Sequence, residues 1–215
     1  MAIQALGLGK TLTDSFTAVT ADGTTQLVTV TITGVDGAAS PGDGFVDDVA
    51  ANFTVSGDAA YEAANGFLLT EAVGGQTGGA MSNQRVDMTK DFEVAFDLNL
   101  GAVDGADGLA FVFHNDPAGA NALGVGAADF GARYIGAGLA IECDTFGNIG
   151  RDADIAADHT NIFDTDVPIV ADAFEASRVT DPTALANLED GLDHRVVVTW
   201  NAATQTLSYS VDGVV

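Results

Sequence analysis

The chain has 215 residues, 47 % hydrophobic and 18 % charged, which suits one large packed domain and excludes a disordered one. Lys and Arg number 7 against 31 Asp and Glu, and the net charge of −24 repels phosphate backbones, excluding nucleic acid as a partner. No apolar run approaches the roughly 20 residues of a membrane-spanning helix. Of the acids 25 are Asp and 6 are Glu, a balance that favours turns and hard-cation sites over solvated helices. A saline or calcium-rich medium would also tolerate so acidic a surface. The single Cys143 forms no internal disulfide, so cysteine usage does not report the redox compartment. The first ten residues lack the basic start and long apolar stretch of a signal peptide, implying export by another signal or a piece of a longer chain.

The pattern along the chain has period two, punctuated by Gly, Asp and Asn. Leu12 to Phe16, the Asp22-Gly23 turn and the β-branched run Leu27 to Thr33 read as strand, turn and strand. Gly34 to Gly44 has linker composition, and too few residues precede it to bury a core. This sets a 1–38 piece, a linker over 39–44 and a main domain over 45–215. Further strands are expected over Phe92–Leu100, Leu109–Phe113, Gly138–Asp144, Val196–Trp200 and Thr206–Val211, the last followed by the hairpin signal Asp212-Gly213. A short helix is expected around Asp181–Leu188, with Pro182 in its first turn. Strands in this number call for an antiparallel sandwich or barrel.

The chemistry concentrates in Ala140 to Asn148, continuing through Asp152, Asp154 and Asp158 to His159. On a strand, Glu142 and Asp144 share one face while Ile141 and Cys143 point to the other, into the core. Two adjacent carboxylates repel unless a cation lies between them, and Arg151 is the only basic residue nearby. A divalent metal answers that need. Asp, Asn and a backbone carbonyl suit calcium; a Glu, a shared Asp and an imidazole suit a transition ion such as manganese beside it.

Glu142-x-Asp144-x-Phe146-x-Asn148, with Asp154 five residues before His159, resembles the metal-binding stretch of legume-type (L-type) lectins. Asp107-Gly108 and its neighbours resemble the sugar-binding segment of that family, and Gly124 to Gly131 its glycine-rich loop, here carrying Ala127-Ala128-Asp129 where the family is richer in glycine. Asn52-Phe53, Gly57-Asp58-Ala59 and His194 to Asn201 are further matching blocks. The resemblance implies an all-β, antiparallel two-sheet jelly-roll sandwich. It implies calcium on Asp144, Asn148, Asp154 and the Phe146 carbonyl, and a second divalent ion, Mn2+ or Ca2+, on Glu142, Asp144, Asp154 and His159. Asn148 to Asp154 is one residue longer than in the legume proteins, which makes Asp152 a rival ligand. The family ends with a further glycine-rich turn and closing strands beyond the position of Val215, so the resemblance implies truncation or completion by another segment. Residues 1–38 resemble the closing strands of the VCBS-type repeats of giant bacterial adhesins.

The sugar site implied by the resemblance uses Asp107 for two adjacent hydroxyls, the Asn148 amide for a third, the Phe146 ring as a stacking surface, and a backbone N–H at Gly126 or Ala127. The family has a cis peptide before that Asp, here Ala106–Asp107. The expected function is calcium-dependent glycan binding by a secreted or cell-surface adhesin module, with cell or biofilm polysaccharides as partners. Two rivals are weighed against it. A glycoside hydrolase on this architecture needs a second acid soon after Asp144, and no Glu follows until Glu175. A spacer that keeps the fold but binds no sugar would not need Asp107, Phe146 and Asn148 together.

Overall fold

The computed structural model describes residues 11–19, 25–33, 49–63, 66–148, 154–166 and 177–214, the first two stretches by backbone alone. The linker at 39–44, Arg151, Asp152 and Glu175 lie outside these residues. In the first of them β1 (Thr11–Val19) pairs antiparallel with β2 (Thr25–Thr33), in register from Thr11↔Thr33 to Val19↔Thr25.

From Val49 onward a one-turn helix, α1 (Val49–Asn52), leads into β3 (Phe53–Gly57), which pairs with β6 (Gly78–Ser82). A small ladder of β4 (Ala60–Glu62) and β5 (Gly66–Leu68) lies between them in sequence. The main body is two antiparallel sheets. One has the order β11 (Thr183–Ala184), β10 (His159–Asp164), β9 (Gly138–Asp144), β8 (Gly108–His114). The other has the order β13 (Thr206–Val211), β12 (His194–Asn201), β7 (Phe92–Leu98).

Alternation explains why these sheets face each other. Ile141, Cys143 and Ile162 from one sheet meet Leu98, Val196, Val198 and Val211 from the other in a single buried cluster. Each fully buried aliphatic side chain there contributes about 1.5–3 kcal/mol. Phe96 stacks on Phe111 at 5.3 Å and Phe92 meets Phe113 at 5.6 Å, so rings of β7 and β8 close the same layer. Cys143 behaves as a small hydrophobe: burial, then the Glu142 and Asp212 charges, push its thiol up to about 12. The sandwich is therefore all-β and antiparallel, with few and short helical turns.

Two expectations change. Asp181–Leu188 is not a helix. Thr183 and Ala184 instead add a two-residue edge strand beside Thr160 and His159. The Leu185 amide donates to the Asp158 carbonyl (2.7 Å) and the Leu188 amide to the Asp158 carboxylate (2.6 Å), holding the segment extended while Leu188 enters the core. Asp181-Pro182 reads locally as a helix start, but these tertiary hydrogen bonds keep the residues after it extended. The strand begun at Phe92 ends at Leu98 and not Leu100, since the Asn99 side chain accepts the Gly101 amide (3.0 Å) and turns the chain. The Asp212-Gly213 turn forms, with φ of 50° and 78° at its two central residues.

Candidate functional site

The outer face of the four-stranded sheet carries the polar half of each alternating strand. Across β9 and β10 the register sets Asp144 opposite His159 and Glu142 opposite Asn161, all four buried. The Ala157 carbonyl can only accept, so His159 Nδ1 carries the hydrogen of their 2.9 Å contact and Nε2 faces the acids. His159 Nε2 lies 2.9 Å from Asp154 Oδ1, and 3.8 Å from both Glu142 Oε1 and Asp144 Oδ2. One ligand atom each from Glu142, Asp144 and His159 can be drawn within a 4.8 Å span.

The loop after β9 is wrapped onto the same acids. Phe146 N donates to Asp144 Oδ1 (2.7 Å) and Asn148 N to Asp154 Oδ2 (2.5 Å). Asn148 Nδ2 donates to the Phe146 carbonyl at 3.2 Å. A half-turn of that amide would put two oxygens side by side there, a spacing compatible with shared coordination at the 2.3–2.6 Å distances of calcium. The Phe146 ring itself is 48 % exposed.

Burial and mutual repulsion have the expected electrostatic consequence. Burial first, then the charges of Asp144 and Asp154, push Glu142 up to about 8 against the weaker pull of Arg133 and Arg178. Burial also pushes Asp144 up to about 6, helped by Asp154 and Asp107 and opposed by the Phe146 amide and His159. The buried Glu142, Asp144 and His159, with the half-buried Asp154 beside them, converge without an alkylammonium among them and form a donor set that fits a divalent cation. The carboxylates and amide of Asp144, Asp154 and Asn148, with the Phe146 carbonyl, add a harder oxygen set alongside.

Asp107 stands just before β8, and the Ala106–Asp107 peptide is cis. Gly108 pairs with Asp144 and has φ of 130°; a Cβ there would strike the Cys143 carbonyl, so only glycine brings Asp107 this close to β9. The Asp107 carbonyl accepts the Thr145 amide at 3.1 Å. Its half-buried carboxyl is raised by burial and then by the Asp129 charge.

Asp129 belongs to the 124–137 loop covering this face. Gly124 N to Gly131 O, Gly131 N to Val125 O and Phe130 N to Ala127 O close the loop, leaving the amides of Gly126 and Ala127 outside those bonds. Gly126 packs where a Cβ would strike the Thr77 hydroxyl, and Ala127 takes a left-handed φ of 57°. The loop is pinned from below by Arg133, whose Nε bonds Asp129 Oδ1 at 2.6 Å, whose Nη1 donates to Ser177 Oγ at 3.2 Å, and whose guanidinium lies over the Phe163 ring.

Glu142, Asp144, Asp154, His159 and Asn148 thus line one pocket, with Phe146 beside it and Asp107 at its strand edge. Gly126 and Ala127 do not line it; their neighbours Ala128 and Phe130 do. Asp158 turns away to hold Leu188. Sequence reasoning missed Arg133, Asn161, Ser177 and Arg178 on the pocket wall. Arg133 had a readable signal, an acid four residues earlier inside an otherwise apolar loop.

Residues 46–215 match the family model described as the legume lectin beta-barrel domain. The chain belongs to the L-type lectin domain family. Among solved structures it is similar to lectin I of Ulex europaeus, determined in complex with the methyl glycoside of α-L-fucose. That likeness has 16 % identity and a TM-score of 0.56, over 94 % of this chain and 77 % of that one, and it shows the shared fold.

Proposed function

We propose that this domain is a cation-dependent carbohydrate-binding module, displayed outside the cell on a larger adhesin that attaches to surface glycans. The observation that carries the reading is the adjacency of Asp107 to a buried acid–imidazole cluster on the next strand. Bound to that cluster, divalent cations (Ca2+ on Asp144, Asp154, Asn148 and the Phe146 carbonyl, Mn2+ or Ca2+ on Glu142, Asp144, Asp154 and His159) would neutralise the acids and fix the 144–148 loop. Asp107 accepts hydrogen bonds from two neighbouring sugar hydroxyls, each charge-assisted bond contributing about 1.5–3 kcal/mol. Asn148 offers its amide hydrogens to a third hydroxyl, the exposed Phe146 ring supports an apolar sugar face, and the Gly126 or Ala127 amide supplies another donor.

A small, hydrated ligand buries little surface, so single-site affinity is weak and adhesion comes from many copies displayed together. The VCBS-like pattern of residues 1–38 supports a place on a repetitive stalk, and the net charge of −24 suits a saline, calcium-rich exterior. Asp107→Ala is expected to lower glycan binding roughly a hundredfold or more, the loss of two such bonds, while the melting temperature barely moves. Glycan-array binding equal to wild type in that variant would place sugar recognition away from Asp107, whereas a wild type that binds no glycan would favour a spacer that keeps the fold without the sugar.

A further inference from the structure

Moving inward along the β9–β10 ladder, the cross-strand pairs are Asp144 with His159, Glu142 with Asn161, then Ala140 with Phe163. Asn161 is therefore the first side chain behind the acid cluster. It is 7 % exposed and lines the same pocket as Glu142, Asp154 and His159. Its Oδ1 is buried and has no hydrogen-bond partner. A buried amide oxygen without a donor destabilises the fold, so its retention points to a donor that arrives with a ligand.

Neither arginine of the pocket bonds the Asn161 Oδ1. Arg133 directs Nε to Asp129 and Nη1 to Ser177, and Arg178 lies 3.5 Å from Asp181. The group directly across the strand is Glu142, which makes no hydrogen bond to that oxygen and, once a cation holds it ionised, has no hydrogen to donate.

We infer that Asn161 is a further member of the second-cation site, its side-chain oxygen accepting a hydrogen bond from a cation-bound water beside Glu142. The inference rests on the cation reading above. A water polarised by a divalent ion is a strong donor, and a neutral amide oxygen receives it without adding a further charge to three clustered acids. Asn161 is thus a positioning residue for the cation's water.

The test titrates metal-stripped protein with Mn2+ and, separately, Ca2+ by calorimetry, for wild type, Asn161→Ala and Asn161→Leu, and melts each stripped form. Mn2+ binding is expected to weaken about tenfold in both variants. Stripped Asn161→Leu is expected to melt no lower than wild type, because an apolar side chain of similar size replaces an unpartnered amide. Unchanged Mn2+ affinity in both variants overturns the inference. Stripped Asn161→Leu melting several degrees lower also overturns it, assigning Asn161 to folding. Wild-type protein that binds neither ion sinks the cation reading itself, so the two failures are distinguishable.

Discussion

Arg133→Met is expected to lower the unfolding free energy by about 3–5 kcal/mol, the loss that follows when one partner of a buried ion pair is removed. Its side chain is 2 % exposed and that of Asp129 11 %, so the stranded carboxylate would have little access to water. The same substitution removes the bond to Ser177 and the contact with Phe163 that hold the covering loop on the sheet. Adding Asp129→Leu should recover most of the loss, since an apolar pair of similar volume avoids the desolvation of both charges. Urea unfolding of the wild type, the single variant and the double variant measures this. A single variant within 1 kcal/mol of wild type, on the order expected of an exposed pair, would mean the pair is solvated.

The second large effect is a pH dependence that cation binding reverses. Glu142 is raised from 4.5 to about 8 and Asp144 from 3.8 to about 6. Both folded-state values lie above the unfolded ones, so the folded protein prefers these groups protonated. Their contribution is fully present below the unfolded values and is lost as pH rises through about 6 for Asp144 and about 8 for Glu142. Metal-stripped protein should therefore lose stability between pH 5 and 8. The slope approaches about 1.4 kcal/mol per pH unit while one proton is released, or roughly 3–5 °C for a chain of this size. Saturating cation, competing with those protons, should raise the melting temperature more at pH 8 than at pH 5. Glu142→Gln should flatten the stripped profile. A cation-induced shift equal at both pH values would contradict the assignment of these acids.

How far the sequence could be read depended on what each strand buries. β9 was legible because Ile141 and Cys143 alternate with Glu142 and Asp144, so period and chemistry coincide. β13 was read over its full Thr206–Val211 span because a hairpin turn delimits it. β10 was not read as a strand, since His159-Thr160-Asn161 looks like a polar loop; the structure buries both of its faces, one in the core and one against the acids. Thr160 even donates inward, to the Glu142 carbonyl at 2.6 Å. The same blindness hid Asn161 from the site, because its part depends on a cross-strand partner 19 residues away in sequence. The false helix at Asp181–Leu188 has the opposite cause: the local Asp181-Pro182 start signal favours it, and the edge of β10 together with Asp158 overrides it. The acids were easier to find than their setting, since charge spacing lies in the sequence while burial emerges only on folding.

The most direct measurement is a glycan array probed with the protein as purified, after EDTA, and after Ca2+ and Mn2+ are restored. Binding is expected to disappear on chelation and return with the ions, while the β-sheet signal in circular dichroism persists throughout. Array binding unchanged by EDTA would mean that sugar recognition is independent of the Glu142–Asp144–Asp154–His159 cluster.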